Sequence, residues 1–171
     1  MRALRERLAE RLHLPIAVAC VWLMLSSPWL QMRRLVPAEP GWINGLHLAL
    51  GLVMAVLAAV YFLALMPNGR WRELYPWAAG RFGPLLRDLS GLLRARIPGA
   101  GGAGLYSVIQ GLLVLALLAV AWTGVGWWAS DGARIALAWR EWHQLAAQVF
   151  GVLLVLHVVA VATHFLDFFG E

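Results

Sequence analysis

The chain contains no lysine, so each of its 14 basic residues is an arginine. Acidic residues are few as well, and charged residues together make up 13% of the 171 positions, against about 25% in a soluble domain. One cysteine, Cys20, is present. That excludes a disulfide within the chain, and the absence of a Cys-x-x-Cys-His run excludes covalent c-type haem attachment. There is no internal repeat, heptad zipper or low-complexity tract, so solenoids and coiled coils are excluded too.

What remains is apolar. Hydrophobic residues reach 61% and the mean hydropathy is +0.71. Ten tryptophans add to this, a residue that concentrates at membrane–water interfaces. The composition is that of an integral membrane protein, with no room for a separate soluble domain. Four spans are expected, at about 14–32, 46–66, 105–128 and 142–166, each near the ~20 apolar residues that cross a bilayer. The expected fold is an all-α four-helix membrane bundle forming one domain over residues 1–171. Cys20 lies in an apolar run that continues well past it, which suits a retained span rather than a lipoprotein cleavage site.

Between the spans lie the arginines. Residues 1–12 read as a short amphipathic helix, with Leu4, Leu8 and Leu12 on one face, compatible with a contact to anionic lipid. The longest polar segment, 67–104, is predicted to contain a short interfacial helix within PWAAGRFGPLLRDLSGLLRARI. The N-terminus holds Arg2, Arg5, Arg7 and Arg11, and the long segment holds Arg70, Arg72, Arg81, Arg87, Arg94 and Arg96. The other two loops hold only Arg33, Arg34, Arg134 and Arg140. By the excess of arginine on one side, both termini and the long segment belong in the cytoplasm. The sequence pI near 10.6 therefore reads as topology, not as nucleic-acid binding.

Five histidines are present, and three of them, His143, His157 and His164, fall in the uncharged run that forms the fourth span. The 14-residue step from His143 to His157 closes to within about 40° of four helical turns. Both imidazoles thus leave the same side, roughly 21 Å apart along the axis. His164 follows seven residues later on the same stripe. His47 opens the second span and His13 stands at the threshold of the first. Orientation sorts them by depth into His47 with His143 on the outer side and His13 with His157 on the inner side, leaving His164 near the cytoplasmic surface. Gly51, one turn after His47, removes bulk beside it; a small-residue helix contact is the alternative reading. The third span has no histidine, and Tyr106, Ser107, Gln110 and Thr123 read as helix–helix hydrogen bonds.

Two facing imidazoles without carboxylate or thiol do not make a usual zinc site, and copper ordinarily recruits Met or Cys. Haem iron needs only two axial ligands, and a porphyrin is an apolar plate suited to a helical bundle. A metal site and a proton relay stay open beside it.

These residues resemble the bacterial cytochrome b-561 family, which is related to the b-type cytochrome subunit of nickel–iron hydrogenases. The resemblance is carried by Trp142–His143, then His157, then His164, by Leu46–His47 with Gly51, and by the early Arg11-Leu-His13. It implies two haems b held between the helices, one by His13 and His157, the other by His47 and His143. It also places His164 near the inner haem, close to a quinone or propionate contact. Arg11 on the inner side and Arg140 on the outer are candidates to pair with propionates.

The implied function is electron transport across the inner membrane with quinone as a redox partner, within a respiratory chain. Superoxide oxidation at the outer end belongs to the b-561 type and is one candidate reaction. The alternative is an anchor subunit relaying electrons between quinone and a soluble or periplasmic oxidoreductase, since TGVGWW in span three resembles hydrogenase and thiosulfate-reductase cytochrome subunits. A homodimer and a place in a larger complex are both left open.

Overall fold

The computed structural model describes residues 2–66, 69–94, 96, 98 and 102–169, with the side chains of 2–6 and 164–169 outside the description. The elements in chain order are α1 (Arg2–Ser26), a 3-10 turn (Ser27–Trp29), α2 (Trp42–Leu65), α3 (Trp71–Leu74), a second 3-10 turn (Pro76–Ala79), α4 (Gly83–Leu92), α5 (Leu105–Ala129) and α6 (Ile135–Phe169). No strand occurs among the described residues. Four helices are long and apolar enough to span a membrane, over Arg7–Trp29, Trp42–Leu65, Leu105–Ala129 and Ile135–Thr163. The all-α membrane fold expected from composition is therefore observed.

Two boundaries differ from expectation. The N-terminal amphipathic segment is not a separate helix but runs unbroken into the first span, with Pro15 inside α1. Proline deletes only the bond to the carbonyl four residues back, here that of Arg11, whose side chain is exposed at the polar end. Pro28 does end the helix, sitting in the 3-10 turn. At the other end, α6 begins at Ile135 rather than at about Trp142. Ile135, Ala136, Leu137, Ala138 and Trp139 supply enough apolar, helix-compatible sequence to continue the span outward. The expected interfacial helix in the long segment is α4.

Contacts divide the chain into two compact units, the first of residues 1–65 and 116–150, the second of 66–115 and 151–171. In the first, α1 and α2 pack along each other, and the loops at one end are tied together. Trp127 Nε1 donates to the Arg33 carbonyl at 2.9 Å. The Gly132 amide donates to Arg34 O at 3.1 Å, and the Val36 amide to Asp131 Oδ1 at 2.7 Å. Gly132 has φ +75°, a left-handed conformation that favours glycine. Along the second half of α6, Val152, Val155, Val158 and Val159 are all more than half exposed. An apolar face of this kind has lipid, not water, as its natural neighbour.

In the second unit, Tyr106 and Thr163 share a hydroxyl hydrogen bond of 3.1 Å, joining α5 to α6 as expected of a polar residue in a span. The Asp88 carboxylate accepts the Leu105 amide at 2.7 Å. It satisfies one of the donors left open at the start of α5 and places a negative charge at the positive end of that helix. Gly111 lets the carbonyl of Leu74 approach α5, where an added Cβ would overlap it.

Candidate functional site

All four long helices contribute to a cavity of about 510 Å³ inside the first unit, within the usual range for a bound small molecule or cofactor of about 300–1,000 Å³. His47 from α2 and His143 from α6 both line it, together with Gly51, Gly124, Met24 and Gln148. Among the described residues no Arg, Asp or Glu side chain lines it.

Each imidazole is fixed through one nitrogen. His143 Nδ1 lies 3.0 Å from the carbonyl of Val120 on α5. A carbonyl can only accept, so Nδ1 carries the proton and Nε2 keeps its lone pair. Thr123 Oγ1 stands 3.4 Å from the same Nδ1 while directing its own hydrogen toward the carbonyls of Ala119 and Val120. His47 Nδ1 lies 3.2 Å from Ser26 Oγ on α1. The Ser26 hydroxyl donates to Leu23 O at 3.1 Å, which leaves its oxygen to accept from Nδ1–H. Both rings are thus held in the tautomer that leaves Nε2 as the basic atom. This is the arrangement by which proteins orient metal-ligating histidines, with the second ring nitrogen bonded to a carbonyl or hydroxyl.

The walls between the rings are shaped by glycine. A Cβ on Gly51 would meet nothing within 4 Å, so the space beside His47 is open. Gly124 on α5 does the reverse, bringing backbone against His143, where an added Cβ would lie 3.1 Å from Cε1. Gly126 packs against the Trp139 ring more tightly still. A largely apolar cavity lined by two imidazoles that keep the Nε2 lone pair, with open space at Gly51, would suit an apolar, iron-centred macrocycle such as haem. Among the described residues no three of His, Cys, Asp and Glu come together as a metal-ligand cluster, so a closed tetrahedral zinc site of protein ligands has no counterpart there.

The other expected site residues are placed as follows. His13 is exposed on α1, its Nδ1 3.4 Å from the hydroxyl of buried Tyr61 on α2. His157 is half-buried on the part of α6 that belongs to the second unit. Arg11 is exposed. Arg140 does not line the cavity; its Nη2 lies 3.9 Å from Glu141 Oε1 and its Nε is buried with no partner among the described residues. The side chain of His164 lies outside the described residues, as do those of Phe165, Phe168 and Phe169.

Sequence reasoning overlooked Ser26, the Val120 carbonyl and Gly124, and assigned Thr123 only to helix packing. TGVG at 123–126 carried a signal, since two glycines two residues apart mark close approach of backbone to something rigid. The sequence profile of prokaryotic cytochrome b561 matches residues 5–167. No curated protein and no solved structure matches the chain.

Proposed function

The chain belongs to the prokaryotic cytochrome b561 family, and on that basis we propose that it is a di-haem cytochrome of the bacterial inner membrane that exchanges electrons with quinone. Membership makes it a b-type membrane cytochrome of electron transfer that binds haem b. The finer reading is a single cytochrome domain with two bis-histidine haems, His47 with His143 in the first unit's cavity and His13 with His157 toward the cytoplasmic side. Both termini are cytoplasmic in this reading, by the distribution of arginine.

The observation that carries it is the pair of Nδ1 hydrogen bonds, from His143 to Val120 O and from His47 to Ser26 Oγ. Haem b, when bound, supplies reversible one-electron transfer at iron, and two protein ligands leave it no open coordination position. The chain's own residues do the rest. Val120, Thr123 and Ser26 hold the rings and raise the basicity of Nε2. Gly51 and Gly124 set the width of the cavity, and its apolar lining limits water at the metal. The His13–His157 pairing rests on helix spacing, span depth and the family resemblance. Arg11 and Arg140 are assigned to propionates on their sequence positions, and His164 to a quinone or propionate contact on the same ground.

The test is anaerobic mixing of the purified holoprotein with a ubiquinol or menaquinol analogue, followed in the haem absorption bands. Reduction by the quinol, and reoxidation by the matching quinone, is the expected result. Protein that contains haem but exchanges electrons with neither would overturn the quinone assignment and favour a subunit reduced only by a protein partner.

A further inference from the structure

We propose that α4 and the turn after it form a binding site for the phosphate headgroup of an anionic phospholipid, with the leucine face of α4 set against the acyl chains. Nothing in the electron-transfer reading uses this element. On a helical wheel Leu85, Leu86, Leu89, Leu92 and Leu93 fall along one side of GPLLRDLSGLLR, while Arg87, Ser90, Gly91 and Arg94 fall along the opposite side. Four of these leucines are exposed, Leu86 at 61%, Leu89 at 43%, Leu92 at 46% and Leu93 at 90%, and Leu85 is half-buried. In water this stripe would be strongly unfavourable, whereas in a membrane interface it is the buried face of an amphipathic helix.

Two further observations place the helix and identify its ligand. Asp88 accepts the amide of Leu105 at 2.7 Å, so the middle of α4 is pinned to the first residue of a membrane-spanning helix. That is the level of the lipid headgroups. On the polar side, Arg87, Arg94 and Arg96 line a pocket of about 330 Å³ with Ser90, Asp88 and Pro98. The chain is folded back to achieve this, the amides of Arg94 and Arg96 both donating to Gly91 O at 2.9 Å. Among the described residues none of the three guanidinium groups has a carboxylate partner within ion-pair distance. The carboxylate of Asp88 is directed at the α5 terminus. Three arginines with no ion-pair partner among the described residues, lining one pocket, suit recognition of phosphate through charge-assisted hydrogen bonds. A free phosphate would leave the leucine face unexplained, so the proposal commits to a lipid.

The test is native mass spectrometry of the full haem-containing chain in detergent, titrated separately with phosphatidylglycerol, phosphatidylcholine and inorganic phosphate. The expected result is retention of phosphatidylglycerol at least tenfold over phosphatidylcholine. R94Q is expected to weaken it about five-fold and R87Q/R94Q/R96Q on the order of 100-fold, at about 1 kcal/mol per arginine near a membrane surface. L89Q/L93Q should also weaken it, and R33Q/R34Q should not. An unchanged haem-to-protein ratio marks each variant as folded. Equal retention of the two lipids by the wild type, or full retention by folded R87Q/R94Q/R96Q, would overturn the proposal. So would inorganic phosphate displacing the lipid while L89Q/L93Q has no effect, which would make the pocket a free-anion site.

Discussion

The two halves of α6 set His143 and His157 in different surroundings. His143 sits in the first unit with its Nδ1 locked to a backbone carbonyl and its ring against Gly124. Across the same cavity, His47 is locked to Ser26. His157 sits in the second unit, half-buried on a helix whose neighbouring valines are exposed. Its proposed partner His13 is exposed at the polar end of α1, next to Tyr61. One pair is pre-organised by its protein surroundings. In the other, His13 is exposed on α1 with its Nδ1 3.4 Å from the Tyr61 hydroxyl, and His157 is half-buried. Ligands held through their second ring nitrogen bind a metal more tightly and tune its potential through their hydrogen bonds, so in the proposed di-haem reading a disturbed hold on His143 or His47 should act on the haem of that pair alone.

The largest expected effect is complete loss of one cofactor. His143→Ala should reduce the haem-to-protein ratio by half and leave the inner haem, and His157→Ala should do the reverse. A pyridine haemochrome assay on both proteins measures this. If both variants kept the wild-type content, the chain's histidines would not be the ligands. If either lost everything, the two sites would be one cooperative unit.

Next in size is Gly124→Val. Its side chain must push on Cε1 of His143, and even a Cβ would stand 3.1 Å away. We expect outer-haem retention to fall on the order of tenfold, the scale of losses seen when the support of a metal ligand is disturbed. Equilibrium competition with a haem scavenger such as apomyoglobin, read for each haem separately, provides the measurement. A matching loss at the inner haem would erase the contrast drawn between the pairs.

Ser26→Ala acts more gently, since it removes only the acceptor for His47 Nδ1. A hydrogen bond worth about 1 kcal/mol corresponds to a shift on the order of 40 mV in a one-electron couple. Redox titration should show that shift in the outer haem alone. Movement of both midpoints together would place Ser26 in a general structural role instead.

A last effect, on stability and not on the haem sites, concerns the second unit. The Tyr75 hydroxyl is buried without a hydrogen-bond partner among the described residues, and burial raises its pKa above the ordinary 10.0. Folded protein therefore holds this proton more tightly than unfolded protein does. The resulting stability is fully present below about pH 10 and is lost as the pH climbs through the folded-state value. Tyr75→Phe should raise Tm slightly at neutral pH, because an unpartnered buried hydroxyl costs about 1–3 kcal/mol. It should also flatten the decline in Tm above pH 10. A lower Tm in the variant would mean that the hydroxyl has a partner.

Much of this was legible in the chain before any coordinates. The four spans follow from apolar run length, because a bilayer admits few other solutions. His47 and Gly51 share a helix face by spacing alone, one turn apart on α2. Three features were hidden. The continuation of α1 through Pro15 depends on the helix tolerating one lost backbone bond near its polar end, which composition does not encode. The early start of α6 at Ile135 lies in a segment whose Ser130, Asp131 and Gly132 read as a loop running further than it does. The ring-holding atoms were hardest to see, since Val120 acts through its backbone carbonyl and Ser26 bonds a residue 21 positions away.

The central claim is that one chain holds two haems b through four histidines. Its most direct test is the haem-to-protein ratio of the purified wild-type chain, taken with a reduced-minus-oxidised spectrum resolved over a potential titration. Two haems per chain with two separate b-type α-band components is the predicted result. A ratio of one or less in fully loaded protein, with a single component, would contradict it.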